Sequence, residues 1–213
     1  MYATPFNFIQ DLVNARPGPG AGAEGVSESA VRQVVSRWRR AGWVEYQALL
    51  AGYPPWLWMT HKGLAAFGFT HYRAAPPAIS RLHHLYAINA VRIDIEEEGD
   101  EWIAERAIRA GLYILPDTSE EHRHIPDGIL HTDDGNHAIE VELTQKKPDD
   151  IYKKMYSLIH AYDAKTLRYF YSRIRYFTPD PHVQKGLEAA REKLREHNRQ
   201  RAELVEIELI NLD

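Results

Sequence analysis

The sequence contains no cysteine. That excludes a disulfide framework, a thiol nucleophile and any cysteine-ligated zinc. No apolar run approaches the roughly 18 residues needed to span a bilayer. The sequence has no Gly-x-Ser-x-Gly elbow, no phosphate loop and no Gly-x-Gly-x-x-Gly turn, so neither ATP nor dinucleotide chemistry is expected. The opening residues, Met-Tyr-Ala-Thr-Pro-Phe-Asn, lack the basic head and apolar stretch of a secretory signal. The expectation is a cytoplasmic protein without a membrane partner. No internal repeat is visible, and the only biased tract is one Gly/Pro segment.

What is present is ordinary globular chemistry. The chain has 213 residues, 44% hydrophobic and 26% charged. This excludes a wholly disordered chain and suggests one large domain or two small ones. The net charge is −4, but it is unevenly spread. Up to residue 78, seven basic residues face four acidic ones, a net of +3 that leaves −7 for the remainder. A basic first third and an acidic remainder point to two modules with different tasks.

Apolar spacing and turn residues mark out the elements. Residues 6–15 predict a short helix, and 16–25, rich in Gly and Pro, a loop. Residues 28–41 predict a helix, with Val31, Val34, Val35 and Trp38 on one stripe, Ser27 as N-cap and Gly42 as stop. Residues 43–46 and 56–59 read as paired strands around Pro54-Pro55, followed by a short helix from Lys62 to Phe67. Ala74-Ala75-Pro76-Pro77 is the best candidate boundary, giving domains at 1–75 and 79–213. Beyond it come helices at 79–97 and 101–110. Strands follow at 113–115, 128–130 and 138–144, then a helix at 149–161, a strand at 167–171, a helix at 182–201 and a strand at 204–212. The aromatics Tyr169, Phe170, Tyr171, Tyr176 and Phe177 read as core rather than as a base-stacking platform.

The first module has the order of a winged helix-turn-helix, with residues 28–41 as recognition helix and residues 46–58 as wing. A full winged helix carries two helices before the recognition helix, whereas here one short segment precedes the loop. Opposite the apolar stripe lie Ser29, Gln33, Ser36 and Arg40, flanked by Arg32 and Arg37. Arginine pairs bidentately with guanine or phosphate, and Ser and Gln reach phosphates or base edges. Double-stranded DNA is the expected partner. The plainer reading is a solvated basic face on a protein-interaction domain.

The second module carries His124-Ile-Pro-Asp127-Gly and Ala138-Ile-Glu140-Val-Glu142-Leu-Thr144-Gln-Lys146. Strand alternation places Glu140, Glu142, Thr144 and Lys146 on one face. Adjacent same-face carboxylates repel, and a divalent cation is one reason to keep them together. Pairing of the two strands would set Asp127 beside Glu140. The pattern resembles the PD-(D/E)xK nuclease core, with Glu105 matching its upstream helical acid. The resemblance implies that Asp127 and Glu140 hold Mg²⁺ or Mn²⁺, that Glu142 or Glu105 assists, and that Lys146 positions water for phosphodiester hydrolysis. The family's lysine position is Glu142 here, and the nearest same-face lysine is Lys146. The plainer reading is a turn at Asp127, a solvated acidic face and a surface pair at Lys146 and Lys147. Lys146, Lys147, Lys153 and Lys154 could offset the acidic charge. His83, His84, His122, His124, His131 and His137 fit no zinc spacing and read as surface or hydrogen-bonded residues.

Together the segments resemble the replication-relaxation family of plasmid and conjugative-element proteins. The carriers are Val-Ser-Glu-Ser-Ala-Val-Arg with Gly-Trp-Val-Glu, Trp-Met-Thr-His-Lys-Gly-Leu and Leu-His-His-Leu-Tyr-Ala-Ile-Asn-Ala-Val-Arg. Ala-Glu-Arg-Ala-Ile-Arg, His-Ile-Pro-Asp-Gly and Ala-Ile-Glu-Val-Glu-Leu-Thr-Gln-Lys complete the set. They span about residues 26–147, and the helix around Lys154 to Tyr162 extends the similarity. The resemblance implies an α+β, α/β two-domain chain: a winged helix followed by a PD-(D/E)xK-like mixed sheet flanked by helices. It also implies a role in plasmid replication and DNA relaxation, with a relaxase or replication initiator as candidate partner and a homodimer open. Two other functions stay in view: a transcription regulator with an inert nuclease-like domain, and an adaptor that binds only protein.

Overall fold

A computed structural model describes residues 3–15, 26–115, 124–163 and 168–212. The Gly/Pro segment 16–25 and His122 lie outside them. The chain forms two compact units, Met1–Gly99 and Asp100–Asp213. The Pro76-Pro77 segment, expected as the boundary, thus falls inside the first unit.

The first unit begins with β1 (Thr4–Pro5) and α1 (Asn7–Ala15), continues with α2 (Glu28–Arg40), and then forms a hairpin of β2 (Val44–Gln47) and β3 (Trp56–Met59). The strands order as β1-β3-β2, all antiparallel. A short helix α3 (His61–Ala66) and the long helix α4 (Leu82–Glu97) follow. The Ser27 side chain caps α2 by accepting from the Ala30 N–H at 3.3 Å. Glu28 in the first turn and Arg37, Arg39 and Arg40 in the last complement the helix dipole. Val31 and Val35 are buried with Ile9 and Leu57, and Trp38 packs against them.

The long helix belongs to this unit because its N-terminal half closes the hairpin's core. Leu82 and Leu85 are buried with Ala3, Trp56 and Trp58. The buried Asn89 amide donates to the carbonyls of Leu85, at 2.7 Å, and Ala3, at 3.4 Å. In consequence α4 packs on both α1 and β1.

The second unit is built on a five-stranded sheet in the order β10-β9-β6-β5-β4. Its strands are β4 (Glu101–Ala104), β5 (Gly128–Thr132), β6 (Gly135–Val141), β9 (Tyr171–Thr178) and β10 (Val205–Leu209). The first three run antiparallel, while β6, β9 and β10 are mutually parallel. Helices α6 (Pro148–Ile159) and α7 (Pro181–His197) pack on β9. Ile151, Met155, Leu158, Val183, Leu187 and Leu194 join Ile129, Ala138 and Ile174 in its core. A two-stranded ribbon, β7 (Tyr162–Asp163) with β8 (Arg168–Tyr169), follows α6.

Several elements differ from expectation. Residues 101–110 are not one helix: Glu101–Ala104 is a strand paired with β5, and only Glu105–Arg109, α5, is helical. Pairing along Trp102 and Ile103 overrode their helical spacing. Residues 113–115 form no strand. β6 ends at Val141, so Glu142, Thr144 and Lys146 all lie beyond the alternating segment. Tyr171, Tyr176 and Phe177 are core, but Tyr169 is 49% exposed.

Candidate functional site

The hairpin of β5 and β6 sets the second unit's site. Gly128 pairs with Ile139, so Asp127 arrives next to Glu140. The approach is close: a Cβ on Gly128 would lie 2.2 Å from the Trp102 ring. Asp127 Oδ2 accepts from the Val141 N–H at 3.0 Å, and its carbonyl accepts from the Glu105 N–H at 3.1 Å. The first bond pins the carboxylate against the strand that carries Glu140. The second ties it to the start of α5, where the Glu105 side chain pairs with Arg109 at 2.7 Å.

Glu140 and Glu142 are both buried, at 1% and 4% exposure. Buried carboxylates need partners. Glu140 Oε1 lies 2.5 Å from His124 Nε2, and Oε2 lies 2.5 Å from Lys154 Nζ. Glu142 Oε2 accepts from Lys146 at 2.6 Å and stands 4.0 Å from Lys154. The two lysines differ in setting: the Lys154 side chain is 17% exposed and that of Lys146 45%. Burial works against the charge of Lys154. The carboxylates of Glu140, Asp127 and Glu142 outweigh it and hold the ammonium above its ordinary pKa.

The arrival of Lys154 follows from α6. Ile151, Met155 and Leu158 form the buried stripe of that helix. Lys154 stands at i+3 from Ile151 and i−4 from Leu158, on the same stripe. A lysine there can be stable only against an acidic patch. That interruption of an apolar stripe was the sequence signal for Lys154, which otherwise read as one of four general charge-offsetting lysines. His124 was likewise read among surface or hydrogen-bonded histidines; it is hydrogen-bonded, and its partner is the central carboxylate.

Tyr176 pairs with Glu140 across β9 and β6, which puts both side chains on one face of the sheet. Its hydroxyl is buried and has no hydrogen-bond partner among the described residues. Burial, then the Glu140, Glu142 and Asp127 charges, push the phenol's pKa far up. The Lys154 ammonium stands 6.0 Å from the ring centroid.

Other described histidines have contacts of their own. His137 bonds Asp134 at 3.1 Å, His131 meets the Tyr113 ring, and His83 meets the Tyr53 hydroxyl at 3.2 Å. Among the described residues no group of three or more His, Asp and Glu side chains is disposed to hold a metal ion. Mg²⁺ asks for less. It commonly takes one or two carboxylates and completes its shell with water and substrate phosphate. Asp127 with Glu140 is such a pair, and the partnerless Tyr176 hydroxyl beside them is suited to a bound water. The residues fit the ion in donor chemistry, provided that it displaces Lys154 or His124 from Glu140.

In the first unit, Ser29, Arg32, Gln33, Ser36, Arg37 and Arg40 line one shallow groove of about 370 Å³ along the outer face of α2. All six are exposed. Arg32 pairs with Glu28 at 2.5 Å and stands over the Phe6 ring at 5.3 Å. Arg37 and Arg40 have no acidic partner among the described residues. Arg39 instead stands over the Tyr46 ring at 5.3 Å, on the hairpin.

No protein-family model, curated protein or solved structure matches this chain. Among the described residues no helix is long and apolar enough to cross a membrane.

Proposed function

We propose that the chain is a DNA-binding protein of the plasmid replication and relaxation type, and that its second unit hydrolyses phosphodiester bonds with Mg²⁺ or Mn²⁺. One observation carries the reading: Lys154 reaches from α6 to Glu140 beside Asp127. It supplies the cation that the strand itself lacks, where Glu142 stands in the lysine position of a PD-(D/E)xK pattern.

Asp127 and Glu140 would hold the ion, and Glu142 would assist. When bound, the ion polarises the scissile phosphate and lowers the pKa of a water. The protein's own groups divide the remaining work. The Val141 N–H fixes the Asp127 carboxylate. Lys154 would attract the phosphate and oppose the carboxylates' repulsion. Glu142, buried beside the same lysine, would accept the proton from water.

The first unit supports the DNA-binding half of the reading. Its order β1-β3-β2, with α1 and α2 between β1 and the hairpin, fits a winged helix. The second helix before α2, which the described residues do not contain, has a substitute in α4, which packs on α1 and β1. Arg37 and Arg40, unpartnered on α2, are the groups best placed to meet phosphate or guanine. The runner-up, a regulator on an inert nuclease-like unit, is favoured by a separate observation. Lys154, His124 and Lys146 already neutralise Glu140 and Glu142 without an ion.

The test is incubation of the purified chain with supercoiled and linear plasmid and Mg²⁺ or Mn²⁺, beside Asp127→Ala. Cutting that vanishes in the variant is the expected result. A gel shift without cutting, unchanged in the variant, would establish the inert reading instead.

A further inference from the structure

The ribbon that follows α6 carries an aromatic and basic surface that the proposed site does not use. Tyr162 and Tyr169 face each other across β7 and β8, with ring centroids 5.8 Å apart, edge to face. They are 41% and 49% exposed. Tyrosine pairs stabilise a ribbon by cross-strand packing, but that packing does not require two rings this open to water.

The guanidinium of Arg201, on the helix α8 (Arg199–Ala202), stands 3.5 Å from the centroid of Tyr169. Its position is fixed, because its Nε donates to the Ile159 carbonyl at 3.1 Å and its Nη2 donates to the same oxygen. Arg168 is exposed next to Tyr169 and stands opposite Asp163 across the ribbon, and Arg199 is exposed at the start of α8. Glu203, the nearest acid in sequence to α8, is engaged by Arg195 at 3.2 Å. Arg168, Arg199 and Arg201 against Asp163 leave the surface locally cationic on a unit that is acidic as a whole. It lies at the N-terminal end of β9, whereas the carboxylates lie at the C-terminal end of the parallel β6.

Flat, pre-positioned rings next to arginines match the chemistry of unpaired bases on a phosphate backbone. Base-on-aromatic stacking needs no sequence, and arginine supplies the backbone charge. A duplex has no free base face to offer such rings. We infer that Tyr162 and Tyr169, with Arg168, Arg199 and Arg201, form a binding platform for single-stranded nucleic acid. The inference stands independently of α2 and of the carboxylate site.

The experiment is fluorescence anisotropy of labelled oligo-dT and oligo-U of about 15 nucleotides, a length that covers one such site. A labelled duplex serves as the parallel arm, and folding is checked by circular dichroism. The Tyr162→Ala, Tyr169→Ala double variant should bind oligo-dT about ten-fold more weakly or worse, from the usual cost of losing base stacking. Its duplex affinity should be unchanged. Tyr169→Trp, which keeps a stacking face, should bind oligo-dT at least as tightly as the unaltered chain. Arg40→Ala should do the reverse of the double variant, weakening duplex binding and sparing oligo-dT. Oligo-U binding equal to oligo-dT would extend the platform to RNA. The inference is overturned if the unaltered chain shows no salt-dependent oligo-dT binding, as it would if the surface serves a protein. It is also overturned if the double variant binds as well as the unaltered chain, or if Tyr169→Trp loses binding while folded.

Discussion

At the scale of single residues the second unit turns on Lys154. It is the partner of a carboxylate that is 1% exposed. Removing one member of a buried pair leaves the other charge uncompensated, at a cost of roughly 3 kcal/mol or more. Lys154→Met should lower the urea midpoint accordingly. Lys146→Met, at a side chain 45% exposed, should cost at most about 1 kcal/mol. Equal losses would mean that Lys154 is no more structural than its exposed neighbour. The pH dependence has a definite sign. Lys154 and Tyr176 both have folded-state pKa values raised above their ordinary ones. Their contribution is complete below about pH 10, the unfolded pKa range, and is lost as pH climbs toward the folded values. Stability measured from pH 8 to 11 should therefore fall, and the fall should be shallower in Tyr176→Phe. At neutral pH without divalent cation, Tyr176→Phe should leave stability unchanged or raise it by about 1 kcal/mol, since it deletes a buried hydroxyl without a partner. A clear destabilisation would show that the hydroxyl is satisfied after all.

At the scale of elements, what could be read in the sequence depended on how locally each element was determined. Helix α2 was legible to within a residue, because stripe, N-cap and terminal arginines all coincide. Asp127 and Glu140 were legible as neighbours, because Pro-Asp-Gly and an alternating strand leave little freedom of register. β4 was not legible: its pairing with β5 is decided some 25 residues downstream. Lys154 was not assigned either, because its acidic partners sit on a different element and spacing along α6 cannot reveal them. The same holds for α4, whose apolar spacing does not say which module it completes. The β4–β5 contact has its own test. Gly128→Ala would drive a Cβ into the Trp102 ring. Overpacking of this kind costs about 1–3 kcal/mol, and moving the strand would also displace Asp127. Metal-dependent cutting should weaken together with stability, and a variant with unaltered stability and cutting would mean that the ring simply swings aside.

At the scale of the whole molecule the charge is unevenly divided between the two units. The unit Met1–Gly99 carries a net +1 and the unit Asp100–Asp213 a net −5. On the proposed function, the acidic second unit would repel DNA on its own, and the attraction would come from the arginines of α2, with Lys154 adding charge locally. Duplex affinity should therefore fall steeply with salt. Arg37→Ala and Arg40→Ala should each flatten the log–log slope by about one. Slopes identical to that of the unaltered chain would place the duplex contacts elsewhere.

The most direct test of the account asks which lysine serves the carboxylates. Plasmid cutting with Mg²⁺ or Mn²⁺ should be compared in the unaltered chain, Lys154→Met and Lys146→Met, at a temperature where circular dichroism shows all three folded. The account predicts that cutting is lost in Lys154→Met and persists in Lys146→Met. Cutting that survives in Lys154→Met but disappears in Lys146→Met would contradict it.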